Sequence, residues 1–516
     1  MNEQSLLRLE GINKSFGPVQ ALTDVDLVLQ ANEIHGLVGG NGAGKTTLMN
    51  VLYGLYKPDS GRIYLRGRPA DIQSPKDAIA QGIGMVHQHF LQVTNFTVAE
   101  NIVLGIPLPN RPTMDLSAAE QRMDELSRHF GLEMDPHTHI EDLPMGVRQR
   151  VEILKALYRG VDILILDEPT TNLTPQEVDS LFDSLKLMVA EGMSVVFITH
   201  KLREVMKVCD TISVLRDGRR LLTMPRAEIS EEVIIRNMVG SDVAIEESVL
   251  FSDEIPEEIA GPSGQGPVLQ VQGLRVEGEA GPLVNQVSLD VHAGEILGIA
   301  GVAGNGQQEL VEGVLGIRPA SQGRIELDGS DISVLATDRR LALGIAYVPE
   351  DRQQDGFLPK ATVAQNLILG SQRQAPYSNR RGFLNWRVIY DSARALIDEF
   401  NIRTQGPKDL AANLSGGNIQ RVMLARALSR NSKLLIAHNP TSGLDIPSVE
   451  FIYSQLLARK QQGVATLLLS DDLDELLLLS DRIATLYRGE IVGTLDRDDF
   501  DKYEIGRMMS GAKADD

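Results

Sequence analysis

A short glycine-rich stretch near the start of the sequence has the composition of a loop that binds phosphate groups. GGNGAGKT, residues 39–46, matches the pattern G-x-x-x-x-G-K-[ST] and lies between a predicted strand and a predicted helix. In such a loop the glycines turn backbone N–H groups toward phosphate oxygens, the lysine reaches the β and γ phosphates, and the hydroxyl ligates Mg²⁺. The predicted nucleotide-binding residues are Gly39, Gly40, Asn41, Gly42, Ala43, Gly44, Lys45, Thr46 and Thr47.

Two acidic residues at the end of another predicted strand can supply the metal and water chemistry of phosphoryl transfer. ILILDEPT, residues 163–170, delivers Asp167 and Glu168 after four apolar residues. Asp167 can share the Mg²⁺ shell with Thr46, and Glu168 can orient and activate the attacking water. A strand can also simply end in acids, but the phosphate loop favours the catalytic interpretation.

Three more residues are candidates whose assignment depends on the family. FITH (197–200) ends a predicted strand with His200, a candidate γ-phosphate contact. MVHQ (85–88) places Gln88 after a short apolar run, as a candidate nucleotide and Mg²⁺ contact. Phe16 can stack on adenine, although an isolated aromatic residue is more often part of a core.

The charge and composition exclude several classes of function. The 516 residues include 50 Lys and Arg and 70 Asp and Glu, which gives a net charge of −20, whereas nucleic-acid binding favours a basic surface. A single cysteine, Cys209, excludes an internal disulfide framework and a cysteine-rich zinc site. The N-terminus does not resemble a signal peptide and no apolar run is long enough to span a membrane, so we expect a cytosolic protein.

The sequence repeats itself, which indicates two similar domains. KPDSGRIYLRGRPADI (57–72) recurs as RPASQGRIELDGSDI (318–332), and ILDEPTTNL (165–173) recurs as IAHNPTSGL (436–444). In each half, apolar strand-like runs alternate with helical patterns. This alternation predicts α/β domains, each with a mainly parallel sheet covered by helices.

The boundary between the halves is an acidic stretch. No Lys or Arg occurs from Ser241 to Leu274, and the stretch includes the turn-rich GPSGQGP (261–267). We therefore predict a first domain over 1–240, a flexible acidic linker over 241–266 and a second domain over 267–516.

Taken together, these motifs resemble the ATPase subunit of an ABC transporter. The resemblance rests on GGNGAGKT, ILILDEPT and FITH in the first half and on LSGGN (414–418) in the second. It covers nearly the whole chain and implies two tandem P-loop NTPase domains with helical subdomains that use ATP and Mg²⁺. It also implies that Lys45, Glu168 and His200 take part in catalysis.

Within that family, fused tandem ATPases without a membrane segment resemble the importers of sugars and nucleosides. RVEILKALYRGVDILILDEPT, YVPEDRQQDG (347–356) and the acid-free LLIAHNPTSGLD are similar to the nucleoside importers in particular. The resemblance implies a peripheral position on the cytoplasmic face of a bacterial-type cell membrane. The implied partners are two membrane permeases and, indirectly, a substrate-binding lipoprotein, with no nucleic acid.

Two alternatives to nucleoside import remain. Sugar import is one, although sugar-type subunits more often resemble a pattern that retains the second pair of acids. A soluble tandem ABC ATPase that acts on ribosomes or DNA is the other. Such proteins usually keep two working sites and need basic surfaces or zinc cysteines, so the net charge and the single cysteine argue against it.

ABC ATPase domains resemble one another in pairing head to tail, so that each ATP lies between one domain's phosphate loop and the other domain's signature loop. On this scheme the first site takes its phosphate loop and acids from the first half. Its signature residues are Ser415, Gly416 and Gly417, with Asn418 in place of the usual Gln. Every position of this site is chemically competent.

The second composite site departs from the family pattern on both sides. Its loop reads GVAGNGQQ (301–308), and its signature is LPMGV (143–147). We therefore expect one competent site and one degenerate site. Thr174, where such loops usually carry Asp, is expected to face the degenerate one. The other departures are Pro144, Met145, Gln307, Gln308, Glu350, His438, Asn439 and Asp471.

Overall fold

The structure, a computed structural model, describes nine segments of the chain and divides into two units. The units are Met1–Ile245 and Glu246–Asp516. The predicted linker lies almost wholly outside the described residues, so the predicted domain boundaries stay a prediction. The described residues are 5–17, 19–88, 90–106, 116–171, 173–239, 266–279, 281–430, 432–444 and 446–512.

Two sheets form the first unit. One is antiparallel, with the order β2-β1-β4-β5; the other has the order β10-β9-β3-β8-β7-β6 and is parallel except for β10. The strands are β1 Ser5–Phe16, β2 Val19–Gln30, β3 Ile34–Val38, β4 Ser60–Leu65, β5 Arg68–Ala70, β6 Ile83–Val86, β7 Ile163–Asp167, β8 Ser194–Thr199, β9 Thr211–Arg216 and β10 Arg219–Pro225.

Helices cover these sheets, and three of them, α3, α4 and α5, pack on one another as the predicted helical subdomain. The helices are α1 Lys45–Leu52, α2 Pro75–Ala80, α3 Val98–Val103, α4 Leu116–His129, α5 Met145–Tyr158, α6 Pro175–Ala190, α7 Leu202–Val208 and α8 Glu231–Val239, with short 3₁₀ turns at Ile140–Asp142 and Arg226–Glu228.

The second unit repeats this plan, with sheets ordered β12-β11-β14-β15 and β16-β17-β18-β13-β19-β20. The strands are β11 Leu269–Glu277, β12 Pro282–Val291, β13 Ile296–Ala300, β14 Gln322–Leu327, β15 Ser330–Asp331, β16 Ile345–Val348, β17 Leu434–His438, β18 Ala465–Ser470, β19 Arg482–Tyr487 and β20 Glu490–Asp496. The helices are α9 Gln307–Leu315, α10 Thr337–Ala342, α11 Val363–Leu367, α12 Trp386–Glu399, α13 Gly416–Leu428, α14 Ile446–Gln461, α15 Leu473–Leu479 and α16 Lys502–Met509, with a π turn at Arg352–Gly356 and 3₁₀ turns at Ala411–Asn413 and Arg497–Asp499.

The predicted α/β class, with a mainly parallel sheet in each half, is confirmed. Each unit also has an antiparallel sheet that the sequence patterns did not predict, and in the first unit helix α1 fills the space between the two sheets. Leu48 and Leu52 of α1 belong to one buried cluster with Leu7 of the antiparallel sheet and with Ile163 and Val196 of the parallel one. Burial of this apolar helix face fixes the position of the loop that precedes it. No helix in the described segments is both long and apolar enough to cross a membrane.

Parallel pairing brings the ends of four strands to one edge of the sheet. Val38, the last residue of β3, pairs with Thr199 at the end of β8, and Asp167 of β7 pairs with Ile198. The segment after β6, which carries Gln88, begins at the same edge because β6 runs parallel to β7. Ligand sites in open α/β sheets form outside this carboxyl edge.

Candidate functional site

The phosphate loop of the first unit curls around its own lysine. Gly42 and Gly44 have left-handed backbone angles, φ 78° and 98°, which favour glycine, and a Cβ on Gly39 would collide with the Leu215 carbonyl oxygen. Lys45 begins α1 and is buried, and its Nζ donates to the carbonyl oxygens of Gly39 at 2.6 Å and Gly40 at 3.1 Å. The loop therefore presents a buried cation at a helix N-terminus, an arrangement that suits phosphate.

Two carboxylates face this buried cation. Burial lowers the pKa of Lys45, and the charges of Glu168 and Asp167 oppose that shift. Burial also raises the pKa of Asp167, against a hydrogen bond with the Thr46 side chain. A carboxylate and a hydroxyl in contact form the oxygen-rich donor set that Mg²⁺ prefers, so these residues fit the predicted metal.

Glu168 is the centre of a hydrogen-bonded cluster at the sheet edge. Its backbone adopts a left-handed φ of 49°, which is uncommon for a residue other than glycine, and its N–H donates to Ile198 O at 2.9 Å. The Gln88 Nε2 amide donates to its Oε2 at 3.0 Å, and Nδ1 of His200 lies 3.0 Å from its Oε1. Although burial alone would raise the pKa of Glu168, the hydrogen bond and charge of His200 and the charge of Lys45 hold it below its usual value.

The structure thus brings together Lys45, Asp167, Glu168, Gln88 and His200, which the sequence predicted separately. Their candidate roles stay predictions, because no nucleotide or metal is bound to show them.

Phe16 lies beside this loop rather than in a core. It ends β1 and is 42% exposed, with its ring 5.1 Å from that of Tyr56 in an edge-to-face arrangement. The β1–β2 hairpin reaches the phosphate loop, since a Cβ on Gly44 would lie only 2.8 Å from the Ala21 carbonyl oxygen. Tyr56 was not among the predicted residues, because only the folded chain places it against Phe16.

The second unit keeps the shape of this site and reverses its hydrogen-bond polarity. Asn439 occupies the position of Glu168, with a left-handed φ of 44°. Its Nδ2 donates to Glu350 Oε1 at 2.8 Å and to Asp471 Oδ2 at 3.0 Å. The first unit has a central acid between an amide and an imidazole, whereas the second has a central amide between two acids. The network persists without a carboxylate at the water-activating position.

The other working groups of the second unit are changed in the same way. Gln307 takes the place of Lys45, and its Nε2 donates to Val302 O at 3.2 Å, which keeps the loop closed without a positive charge. Burial lowers the pKa of His438, which follows the strand where Asp167 stands in the first unit, and Glu350 opposes that shift. These groups do not form the oxygen donor set that holds Mg²⁺ in such loops.

The signature loops also differ in charge. In the first unit Pro144 caps α5, and a Cβ on Gly146 would collide with the Glu177 carboxylate. Thr174 holds that carboxylate: its N–H and hydroxyl donate to Glu177 Oε2 at 2.9 and 3.0 Å, as a capping box of α6. A fixed negative charge therefore lies at the end of α5 where a phosphate would have to bind.

In the second unit this obstruction is absent. Ser448 stands opposite Gly417, with its Oγ 3.3 Å from a Cβ built there, and Gly416 is exposed. Ser415 caps α13 and its hydroxyl accepts from Asn418 Nδ2 at 2.8 Å. Sequence reasoning found the changes at Pro144 and Met145 but missed Glu177, although the T-x-x-E spacing from Thr174 was visible.

Comparison with known proteins gives concordant matches to both halves. The family model described as ABC transporter matches residues 22–171 and 284–442. The chain is 41% identical over 512 residues to the nucleoside import ATP-binding protein NupA of Lactococcus lactis subsp. cremoris (strain MG1363), covering 99% of each. It is 41% identical over 508 residues to the guanosine import ATP-binding protein NupO of Bacillus subtilis (strain 168), covering 98% of each. It is 40% identical over 544 residues to the glucose import ATP-binding protein TsgD13 of Haloferax volcanii, covering 99% of this chain and 96% of that protein.

The reversed polarity predicts how the second unit responds to substitution. Asn439→Asp removes the donor amide and places a third carboxylate against Glu350 and Asp471. We expect a loss of about 1–3 kcal/mol in the free energy of unfolding, the typical effect of leaving such acceptors without a donor. Urea unfolding followed by circular dichroism measures the loss.

A second substitution provides the control. Glu350→Gln supplies a new donor amide, so in the Asn439→Asp background it should restore at least half of the lost stability, while alone it should be mild. Wild-type stability in the Asn439→Asp variant would show that the donor role of Asn439 is unimportant.

Proposed function

The chain belongs to the ABC transporter family, and from that membership we propose that it is the ATP-hydrolysing subunit of a nucleoside importer. ATPases of this family hydrolyse ATP. The observation that supports hydrolysis in the first unit is the Glu168 carboxylate, held by Gln88 and His200 at the sheet edge near buried Lys45. The names of two relatives, each 41% identical, support nucleosides as the cargo.

We assign the roles in the first unit as follows. Gly39 to Thr47 bind the ATP phosphates, Lys45 neutralises their charge, and Phe16 stacks on adenine. Thr46, Asp167 and Gln88 hold Mg²⁺, which when bound would neutralise charge on the β- and γ-phosphate oxygens. Glu168 positions the attacking water and His200 contacts the γ-phosphate. The lowered pKa of Glu168 keeps it ionised, so that it can accept a hydrogen bond from the water.

We also propose that the two halves pair head to tail, so that Ser415, Gly416 and Gly417 complete the ATP site of the first unit. The support is separate in each unit. The second unit offers an exposed helix start with a serine and two glycines, without a carboxylate in the position of Glu177. The first unit offers proline, methionine and the Glu177 charge instead, which suits a partner site that does not hydrolyse ATP.

Membrane proteins are the partners that the family implies. We propose a peripheral position on the cytoplasmic face of the membrane, beneath two permeases that receive solute from a binding lipoprotein. Sugar import is a second candidate, because the glucose import relative is 40% identical. The replacement of the second acid pair by His438 and Asn439 favours nucleosides.

Glu168→Gln tests the catalytic assignment. The amide keeps the size of the side chain but removes the charge that orients the water, so ATP binding should persist while turnover falls roughly 10²- to 10⁴-fold. Phosphate release by the chain in its membrane complex measures turnover. Uptake of labelled nucleoside by cells should fall with it, and excess unlabelled nucleoside should compete where ribose does not.

The matched control lies at the corresponding backbone position of the second unit. Asn439→Gln places the same side chain there and should leave turnover and uptake near wild-type levels, with folding checked by thermal melting. Turnover near wild type in Glu168→Gln would refute the role of Glu168, and competition by ribose instead of nucleoside would replace the proposed cargo with a sugar.

Gly416→Asp and Met145→Asp test the head-to-tail pairing at corresponding positions of the two signature loops. A Cβ on Gly416 meets nothing closer than Arg352 at 3.8 Å, so the new side chain fits within its own unit. If the loop contacts the γ-phosphate of the competent site, a like charge at about 4 Å costs on the order of 4 kcal/mol at an effective dielectric of 20. Phosphate release should therefore nearly vanish in Gly416→Asp and change little in Met145→Asp.

The reverse order of effects would contradict this pairing. If well-folded Met145→Asp loses more activity than Gly416→Asp, the competent site uses the signature loop of its own half or none.

A further inference from the structure

One stretch of the second unit has a charge opposite to that of the chain. Between Gly356 and Tyr390 the sequence has no Asp or Glu and has five basic residues, which gives +5 in a chain of −20 and leaves −25 for the remainder. Four of the five are arginines near its end, and they cluster around two aromatic residues. The arginines are Arg373, Arg380, Arg381 and Arg387, and the aromatic residues are Phe383 and Trp386.

The backbone holds most of this cluster in a short hairpin, which we call the basic hairpin and define as Ser378–Arg387. An antiparallel bridge joins Ser378 to Leu384, and Asn379 N–H donates to Phe383 O at 3.1 Å. The Asn379 side chain accepts from the N–H groups of Arg381 and Phe383 at 2.9 and 3.1 Å. The hairpin is therefore an ordered turn whose side chains are free to point outward.

The side chains of the basic hairpin have few partners within their unit. Phe383 is 69% exposed and Trp386 is 39% exposed. Among the described residues, Arg380, Arg381 and Arg387 make no side-chain hydrogen bond and no ion pair. Exposed aromatic rings beside unpaired cations are unfavourable to leave in water without purpose, and they mark contact surfaces.

This combination matches one kind of surface. Aromatic rings favour the interface between the headgroups and the acyl chains of a bilayer, and arginines are attracted to anionic headgroups. The strongly negative remainder of the chain would be repelled by the same surface, so only the hairpin region would approach it. An acidic protein would attract the arginines, but the exposed Phe383 and Trp386 favour the membrane.

We propose that the basic hairpin binds the headgroup region of a membrane that contains anionic phospholipids. The contact goes beyond the proposed import function and does not depend on the solute carried or on ATP. It would hold the helical part of the second unit against the bilayer.

Trp386 gives a direct measurement, because it is the only tryptophan in the sequence. The purified full-length chain is mixed with vesicles of phosphatidylglycerol and brominated phosphatidylcholine in equal amounts, and Trp386 emission is recorded. Bromine quenches tryptophan only at short range, so we expect quenching with these vesicles and much less with brominated phosphatidylcholine alone. Raising the salt should reverse it, because ions screen the arginines.

Arg380→Gln with Arg381→Gln tests the charges without touching Trp386. One basic residue near an anionic surface contributes about fivefold to binding, so the double variant should bind about 30-fold more weakly. Arg219→Gln with Arg220→Gln is the matched control, since this exposed pair begins β10 in the first unit. The control should bind like wild type, and thermal melting checks the fold of both.

Each outcome decides the proposal. Absence of quenching in the wild type, unchanged binding in the hairpin variant, or equal loss in the control would overturn it. The proposal would also be wrong if the hairpin variant binds vesicles normally but fails to assemble with membrane proteins in detergent. That result would make the hairpin a protein contact, whereas loss of vesicle binding with normal ATP hydrolysis would support the lipid contact.

Discussion

The hydrogen bonds that hold Glu168 at the edge of the parallel sheet are the interaction on which the first unit's arrangement depends. A carboxylate that orients water must remain ionised although it is largely buried, and burial by itself raises its pKa. His200 and Lys45 supply the charge that keeps this pKa low, and Gln88 fixes the second oxygen. These groups come from the ends of separate strands, so the parallel order of the sheet is a requirement of the site.

The second unit shows that the same backbone can be kept without that chemistry. Asn439 has the left-handed backbone of Glu168, which asparagine tolerates better, and two acids accept from its amide. Gln307 closes its loop as Lys45 does, but as a neutral group. A domain that no longer hydrolyses ATP would still need this shape if its signature loop serves the other half. Glu177 in the first unit fits the same division, because it places a charge where the other signature loop leaves space.

Much of this arrangement is visible in the sequence. GGNGAGKT and the acids after ILIL locate the phosphate loop and the strand edge, because these motifs depend on local spacing. The antiparallel sheets and the contact of Glu177 with Gly146 could not be predicted, because they depend on residues far apart in the chain. The reversed polarity around Asn439 was visible only as three separate replacements. Their mutual hydrogen bonds required the coordinates of strands β16, β17 and β18.

The central claim is that one of two similar nucleotide sites hydrolyses ATP. Rapid-quench counting of the first turnover, with the full-length chain in its membrane complex and ATP in excess, tests it most directly. The account predicts one ATP hydrolysed per chain in that turnover. Two ATP molecules hydrolysed per chain would show that the site with Gln307 and Asn439 is also competent, and would contradict the account.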